Sequence, residues 1–173
     1  MTASFSPADR LEIHELIARY AWSLDTGDED AFVDCFCREG ELIWDVFETE
    51  GRWQGAAALR GFIGYFRQRP ESAGRQHHVS NVIVTPHASG VRAKSYVAVA
   101  MRRGEGPHAL NVMGHYEDEL QQEDGHWRFA RRYIRDWNGP ILSRFAGQDG
   151  VRSMRPLPPA LAELWATQSP GGR

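Results

Sequence analysis

Asp25 and His77 are the two side chains in this sequence best matched for moving a proton. Asp25 extends the apolar stripe Ile13, Leu16, Ile17, Tyr20, Ala21, Leu24, whose three- and four-residue spacing marks an amphipathic helix. A carboxylate at that helix's end meets the negative end of the helix dipole, which disfavours it by some tenths of a kcal/mol. It therefore needs a cation or a hydrogen-bond donor nearby. His77 offers one. In Gln76-His77-His78-Val79-Ser80-Asn81-Val82-Ile83-Val84, strand alternation sends His77, Val79, Asn81 and Ile83 to one face and His78, Ser80, Val82 and Val84 to the other. One of the two histidines must face the helix side. An imidazole suits acid–base work near neutral pH, and a carboxylate behind it fixes the tautomer and stabilises the imidazolium.

Weaker candidates surround this pair. Tyr20 lies about one turn before Asp25 and can donate to a substrate carbonyl or leaving hydroxyl. Trp44 and Tyr96 are rings available to line a cavity. His115, in Met113-Gly114-His115-Tyr116, is a second acid if it faces inward, and Asn81 is a polar ligand contact if it does. A metal is not expected. His77 and His78 point oppositely on a strand and cannot easily share an ion, and Cys35 and Cys37 have no Cys/His partner cluster.

The elements that must position these residues fall into two blocks. Ser6-Pro7 opens the first helix with a cap and a first-turn proline, and Gly27 with Asp28 breaks it and starts a second helix to about Phe36. Glu41 to Phe47 reads as a strand, residues 52–54 as a short one, and residues 56–68 as a helix carrying Leu59, Phe62, Ile63 and Phe66. The period then changes to two through His77–Thr85, Val91–Arg102, Leu110–Gln121 and His126–Asp136, separated by glycine-bearing turns. Helices followed by an antiparallel meander give an α+β class: a cone-shaped α+β barrel, its N-terminal helices packed on a curved, mostly antiparallel sheet. The expected division is one domain over residues 1–140 and a tail over 141–173, with a last short helix from Pro158-Pro159 to Gln168.

Composition narrows the function class. With 42% apolar and 25% charged residues in a 173-residue chain, one well-packed domain is expected. The net charge of −3 and a pI near 6.2 argue against nucleic acid or an anionic membrane surface as partner. No apolar run approaches the ~20 residues of a membrane span. The opening MTASFSPADRLEIHE has no basic segment leading into an apolar one, so a cytoplasmic, disulfide-free protein is expected. Six Trp, eight Phe and five Tyr supply either an aromatic core or a pocket for a flat ligand.

Several segments together resemble the SnoaL-like domains of the nuclear transport factor 2-like superfamily. They are Ile17-Ala18-Arg19-Tyr20-Ala21, Leu24-Asp25, Gly27-Asp28, Ala31-Phe32-Val33-Asp34-Cys35-Phe36, His77-x-x-x-Asn81, Gly114-His115-Tyr116-Glu117-Asp118, and Trp127-Arg128-Phe129 ahead of Arg132. The resemblance spans residues 8–140. Members resembling this pattern include scytalone dehydratase, hexachlorocyclohexane dehydrochlorinase, bile-acid 7α-dehydratase and polyketide cyclases. In the dehydrating and dehydrohalogenating members, an Asp at the first helix's end and the His of His-x-x-x-Asn form a base dyad, and these match Asp25 and His77. An assisting arginine late in the last strand is matched by Arg132, with Arg131 as the alternative. The resemblance thus implies a cofactor-independent lyase or isomerase, dehydratase-like, acting on a cyclic hydrophobic small molecule. Polyketide cyclisation, a non-catalytic ligand carrier and a partner similar to a dioxygenase small subunit remain open. Limonene-type epoxide hydrolysis would need an Asp-Arg-Asp set, and Asp118 finds no matching arrangement. Relatives also assemble through the sheet's outer face. Val82, Val84, Val97, Val99 and Met101 are expected there, in a homo-oligomer, trimer before dimer. By the same resemblance the C-terminal tail is a lid over the cavity mouth or an arm onto a neighbour.

Overall fold

The computed structural model describes residues 5–102, 104–137 and 156–166 of the chain. Helix α1 spans Pro7–Thr26. Its start is a reciprocal cap: Ser6 Oγ accepts the Asp9 backbone N–H (3.2 Å), and Asp9 Oδ2 accepts that of Ser6 (2.8 Å). Its end is Gly27, left-handed at φ 73°, a conformation that costs glycine little. Asp28 then caps α2 (Glu29–Asp34) by accepting the Ala31 N–H at 3.0 Å. The stop at Gly27 matters for function because it leaves Asp25 in the last turn of α1, at the helix's most electronegative end.

After β1 (Phe36–Trp44) and β2 (Gly51–Gln54), α3 covers Gly55–Arg67. A single 3-10 turn, Pro70–Ser72, leads to the long strands β3 (Gln76–His87), β4 (Gly90–Arg102), β5 (His108–Glu123) and β6 (His126–Asp136). Helix α4 is Pro159–Ala166. The strands form one open, six-stranded mixed sheet in the order β2-β1-β6-β5-β4-β3. All neighbours are antiparallel except β1 and β6, which run parallel. The α+β expectation holds, with helices packed on a curved sheet in a cone-like arrangement. Of the tail, residues 141–155 and 167–173, with the expected helix end at Gln168, lie outside the described residues, and only α4 with the short approach to it can be placed.

The sheet's concave face and the helices enclose Ile13, Leu16, Tyr20, Phe32, Leu42, Trp53, Phe62 and Phe129, each at most 1% exposed. Burying each large side chain contributes about 1.5–3 kcal/mol, so this aromatic cluster holds α1, α2 and α3 onto the strands. At its centre Arg132 on β6 lies directly across from Asp118 on β5, both side chains fully buried. Their bidentate contacts measure 2.8 and 2.7 Å, and the guanidinium lies 3.9–4.2 Å from the ring centres of Tyr20, Tyr116 and Phe129.

Two strand readings need correction. First, β3 does not keep strict alternation. Its register against β4 slips between Ser80 and Ile83, where Asn81 adopts φ 53°. This bulge adds one residue and reverses the facing of the strand beyond it. Val82 and Val84 therefore turn inward, and Ile83 is 65% exposed. Second, the residues expected on the outer face point the other way: Val84, Val97 and Val99 are buried in the core, and Val82 and Met101 pack against it. Alternation sorts a strand into two sets but cannot say which set meets the helices. The opposite set of β4 includes the half-exposed Tyr96.

Candidate active site

Asp25 and His77 meet. From the last turn of α1, Asp25 Oδ1 lies 2.5 Å from His77 Nδ1, while Oδ2 accepts the His77 backbone N–H at 2.7 Å. One carboxylate thus holds both the ring and the strand that carries it. The two side chains are 15% and 10% exposed, so the contact is largely shielded from water. With the carboxylate accepting at Nδ1–H, Nε2 keeps its lone pair and is the ring nitrogen able to take a proton from a ligand.

Two spaces meet at His77. The cone cavity holds about 330 Å³ and is walled by Trp44, Phe62, Phe66, Val97, Val99 and Tyr116, with His77 and Arg75 among its lining residues. Leu161 of α4 and the adjoining Pro158 complete one side of it. On the other side a groove of about 650 Å³ runs between α1 and β3, past Ala18, Trp22 and His78, with Asp25, Arg75 and His77 at its floor.

Arg75 carries no role in the sequence reading, yet it belongs to the site. The turn through Gly74, left-handed at φ 72°, delivers it beside the end of α1. Its Nη2 donates to the Leu24 carbonyl at 2.7 Å and its Nε lies 3.7 Å from Asp25 Oδ1. It stacks over Phe66, 5.0 Å from the ring centre. Burial lowers the guanidinium pKa from its ordinary value, against the opposing pull of Asp25. A sequence signal for it exists. The last turn of α1 has no basic residue, and Arg75 lies two positions before His77, just ahead of β3. Tyr116 is another lining residue that sequence reasoning left without a role. Its hydroxyl pKa is raised well above the usual tyrosine value by burial.

The remaining candidates divide. Trp44 lines the cavity, packed against Phe47, Phe62 and Phe66. Arg132 lines neither space. Burial works against its charge, but the Asp118 carboxylate outweighs burial and holds its pKa above the ordinary value. It is a structural cation in the core, because its position opposite Asp118 commits it to that carboxylate. Arg131, the alternative, pairs with Glu41 at 3.1 Å and Glu119 at 3.3 Å, away from the dyad's partners. Tyr20 is fully buried beneath Arg132 with its hydroxyl unbonded and its pKa raised by burial, and it lines neither space. Asn81 is spent on the bulge, since asparagine tolerates the left-handed conformation, and it is exposed. Tyr96 and His115 pair across β4 and β5 on the outer face. Tyr96 packs on Trp137, ring centres 5.1 Å apart, and His115 Nε2 lies 3.8 Å from Glu117. The register that puts His115 outside is the same one that puts Tyr116 in the cavity. Among the described residues no three His, Cys, Asp or Glu side chains gather as metal ligands, and no helix is long and apolar enough to cross a membrane.

The comparisons with known proteins agree with an open α+β cone of this kind. Residues 6–133 match the SnoaL-like domain family, and the chain belongs to that family. Solved structures agree on the fold. A nuclear transport factor 2-like protein with a cystatin-like fold from Novosphingobium aromaticivorans superposes with a TM-score of 0.69 at 27% identity, covering 79% of this chain and 87% of its own. Rv3472 from Mycobacterium tuberculosis, of unknown function, gives 0.66 at 22% identity, covering 95% and 94%. A scytalone dehydratase-like protein from N. aromaticivorans gives 0.62 at 22%, covering 75% and 84%. No functionally curated protein matches the chain.

Proposed function

We propose that this chain is a cofactor-independent lyase or isomerase of dehydratase type, using His77 as base and Asp25 as its orienting carboxylate on a small cyclic hydrophobic molecule. The observation that carries the reading is the Asp25–His77 contact, doubly bonded and shielded, at the wall of an apolar cavity. Nε2 takes a proton from a substrate carbon, and the imidazolium so formed is stabilised by the carboxylate already in contact. A positioned general base contributes about 10²–10⁴-fold to rate, and water exclusion strengthens every charge interaction inside the cone. A cavity of about 330 Å³ lies near the lower end of the ~300–1,000 Å³ range of ligand sites, which favours one or two fused rings over a larger polycycle.

The test is incubation with a panel of mono- and bicyclic β-hydroxy ketones, following loss of water or double-bond migration by mass spectrometry and ultraviolet absorbance. Turnover by the native chain that falls at least ~100-fold in His77→Ala and Asp25→Asn, with melting temperatures preserved, supports the reading. Saturable binding of the same compounds without turnover supports a ligand carrier instead. A melting temperature that collapses in His77→Ala points to a structural histidine.

A further inference from the structure

The cavity wall carries hydrogen-bond donors with nothing to bond. Arg75 is only 8% exposed, and of its donors Nη2 is spent on Leu24 while Nε has no hydrogen-bond partner. Its separation of 3.7 Å from Asp25 is an ion pair beyond hydrogen-bond reach. On the same wall the indole N–H of Trp44 is also buried without a partner. Buried donors are normally satisfied, and each exception calls for its own explanation. Tyr20, Trp53 and Arg132 also keep unpartnered polar atoms in the core, but among the described residues Arg75 and Trp44 are the two such donors whose side chains line the cavity with His77. Capping the end of α1 explains one nitrogen of Arg75 and leaves Nε unexplained.

Charge balance points the same way. Asp25 and Arg75 offset one another before reaction, and proton transfer to His77 adds a positive charge to this enclosed place. A negative charge appearing on the ligand beside Arg75 restores the balance without help from water.

We propose, resting on His77 as the base, that Arg75 is a catalytic residue that binds the carbonyl oxygen of the substrate, so that the substrate class is a cyclic carbonyl compound reacting through its enolate. The C–H bonding pair becomes the C=C of the enolate, the carbonyl π pair moves to oxygen beside Arg75, and the proton goes to His77 Nε2. Where the ketone is β,γ-unsaturated the anion is a dienolate, and return of that proton to its γ carbon gives the conjugated isomer. The proton's departure with a β-hydroxyl gives water and the conjugated ketone.

Matched aromatic probes test this without knowledge of the substrate. 4-Nitrophenolate carries an enolate-like oxygen, and 4-nitroanisole has the same ring with no ionisable oxygen. Binding is read by calorimetry, and the ionisation state of the bound phenol by its visible absorbance. The native chain is expected to bind the phenolate at least ~10-fold more tightly than the ether, the scale of a charge-assisted hydrogen bond. Arg75→Gln should abolish that preference, Arg75→Lys should retain part of it, and His77→Gln should leave most of it. Equal affinities in the native chain, which require no variant to fold, overturn the proposal, as does a preference that survives Arg75→Gln. A preference lost in His77→Gln but kept in Arg75→Gln assigns the oxygen to histidine and overturns it too. Loss of the Arg75 effect while turnover still depends on His77 removes this proposal alone. A phenolate preference that depends on Arg75, with no turnover dependence on His77, removes the base assignment instead.

Discussion

Removing one partner of the Arg132–Asp118 pair should destabilise the fold severely. Arg132→Met leaves the Asp118 carboxylate fully buried with both of its bidentate bonds lost, and takes a cation from among three rings. Breaking a buried pair in this way costs about 3–5 kcal/mol, a large share of the ~5–15 kcal/mol that holds a domain together. At about 2–4 °C per kcal/mol for a chain of this size, the melting temperature should fall by roughly 6–20 °C. Replacing both partners, Arg132→Met with Asp118→Leu, removes the stranded charge and should recover a substantial part of that loss. Thermal and urea melts of the two single variants and the double variant form a mutant cycle, with substrate turnover measured well below each transition. An Arg132→Met protein that melts within about 2 °C of the native chain but has lost turnover would refute this reasoning and return Arg132 to the catalytic machinery.

The outer face and the cavity wall each give one further prediction. Burial holds the His115 pKa below its usual value, against the opposing influence of Glu117. The folded state therefore binds fewer protons than the unfolded chain, and the stability His115 contributes is complete above the ordinary value near 6.5 and falls as pH drops below it. Melting temperatures between pH 7.5 and 5.5 should fall less steeply in His115→Gln than in the native chain, and identical slopes would refute this. A side chain at Gly61 on α3 would place its Cβ 2.6 Å from Leu164 Cδ2 on α4. Gly61→Val should thus loosen α4, expose Leu161 from the cavity wall and cost about 1.5–3 kcal/mol. Limited proteolysis should then cut within residues 156–166 well before the body of the domain, and an unchanged cleavage rate would show that α4 has another seat.

What the sequence made legible was local or periodic. The caps at Ser6 and Asp28, the stop at Gly27 and the change from helical to strand period are written in a few adjacent residues, and the structure adheres to them closely. Asp25 and His77 could be paired on paper because a carboxylate at a helix end needs a donor. What failed depended on registry between distant strands. The bulge at Asn81 turned Val82 and Val84 inward, and the β4–β5 register, not the motif around Gly114, chose Tyr116 over His115 for the cavity. Arg132 shows the same limit, since its carboxylate partner is fixed by the pairing of β5 with β6. Arg75 was reachable from the want of a cation at the end of α1, but only a structure shows that one of its nitrogens is left over.

The central claim is that His77, held by Asp25, removes a proton from carbon, and hydrogen exchange in heavy water tests it most directly. 2-Tetralone, a bicyclic ketone with activated C–H bonds, would be incubated with the protein in D₂O and its deuterium content tracked by mass spectrometry. The native chain should accelerate exchange beside the carbonyl, and His77→Gln should reduce that acceleration by about 100-fold or more, with Asp25→Asn reducing it as well. Exchange at the buffer rate with the native chain, or acceleration undiminished in His77→Gln, would contradict the account.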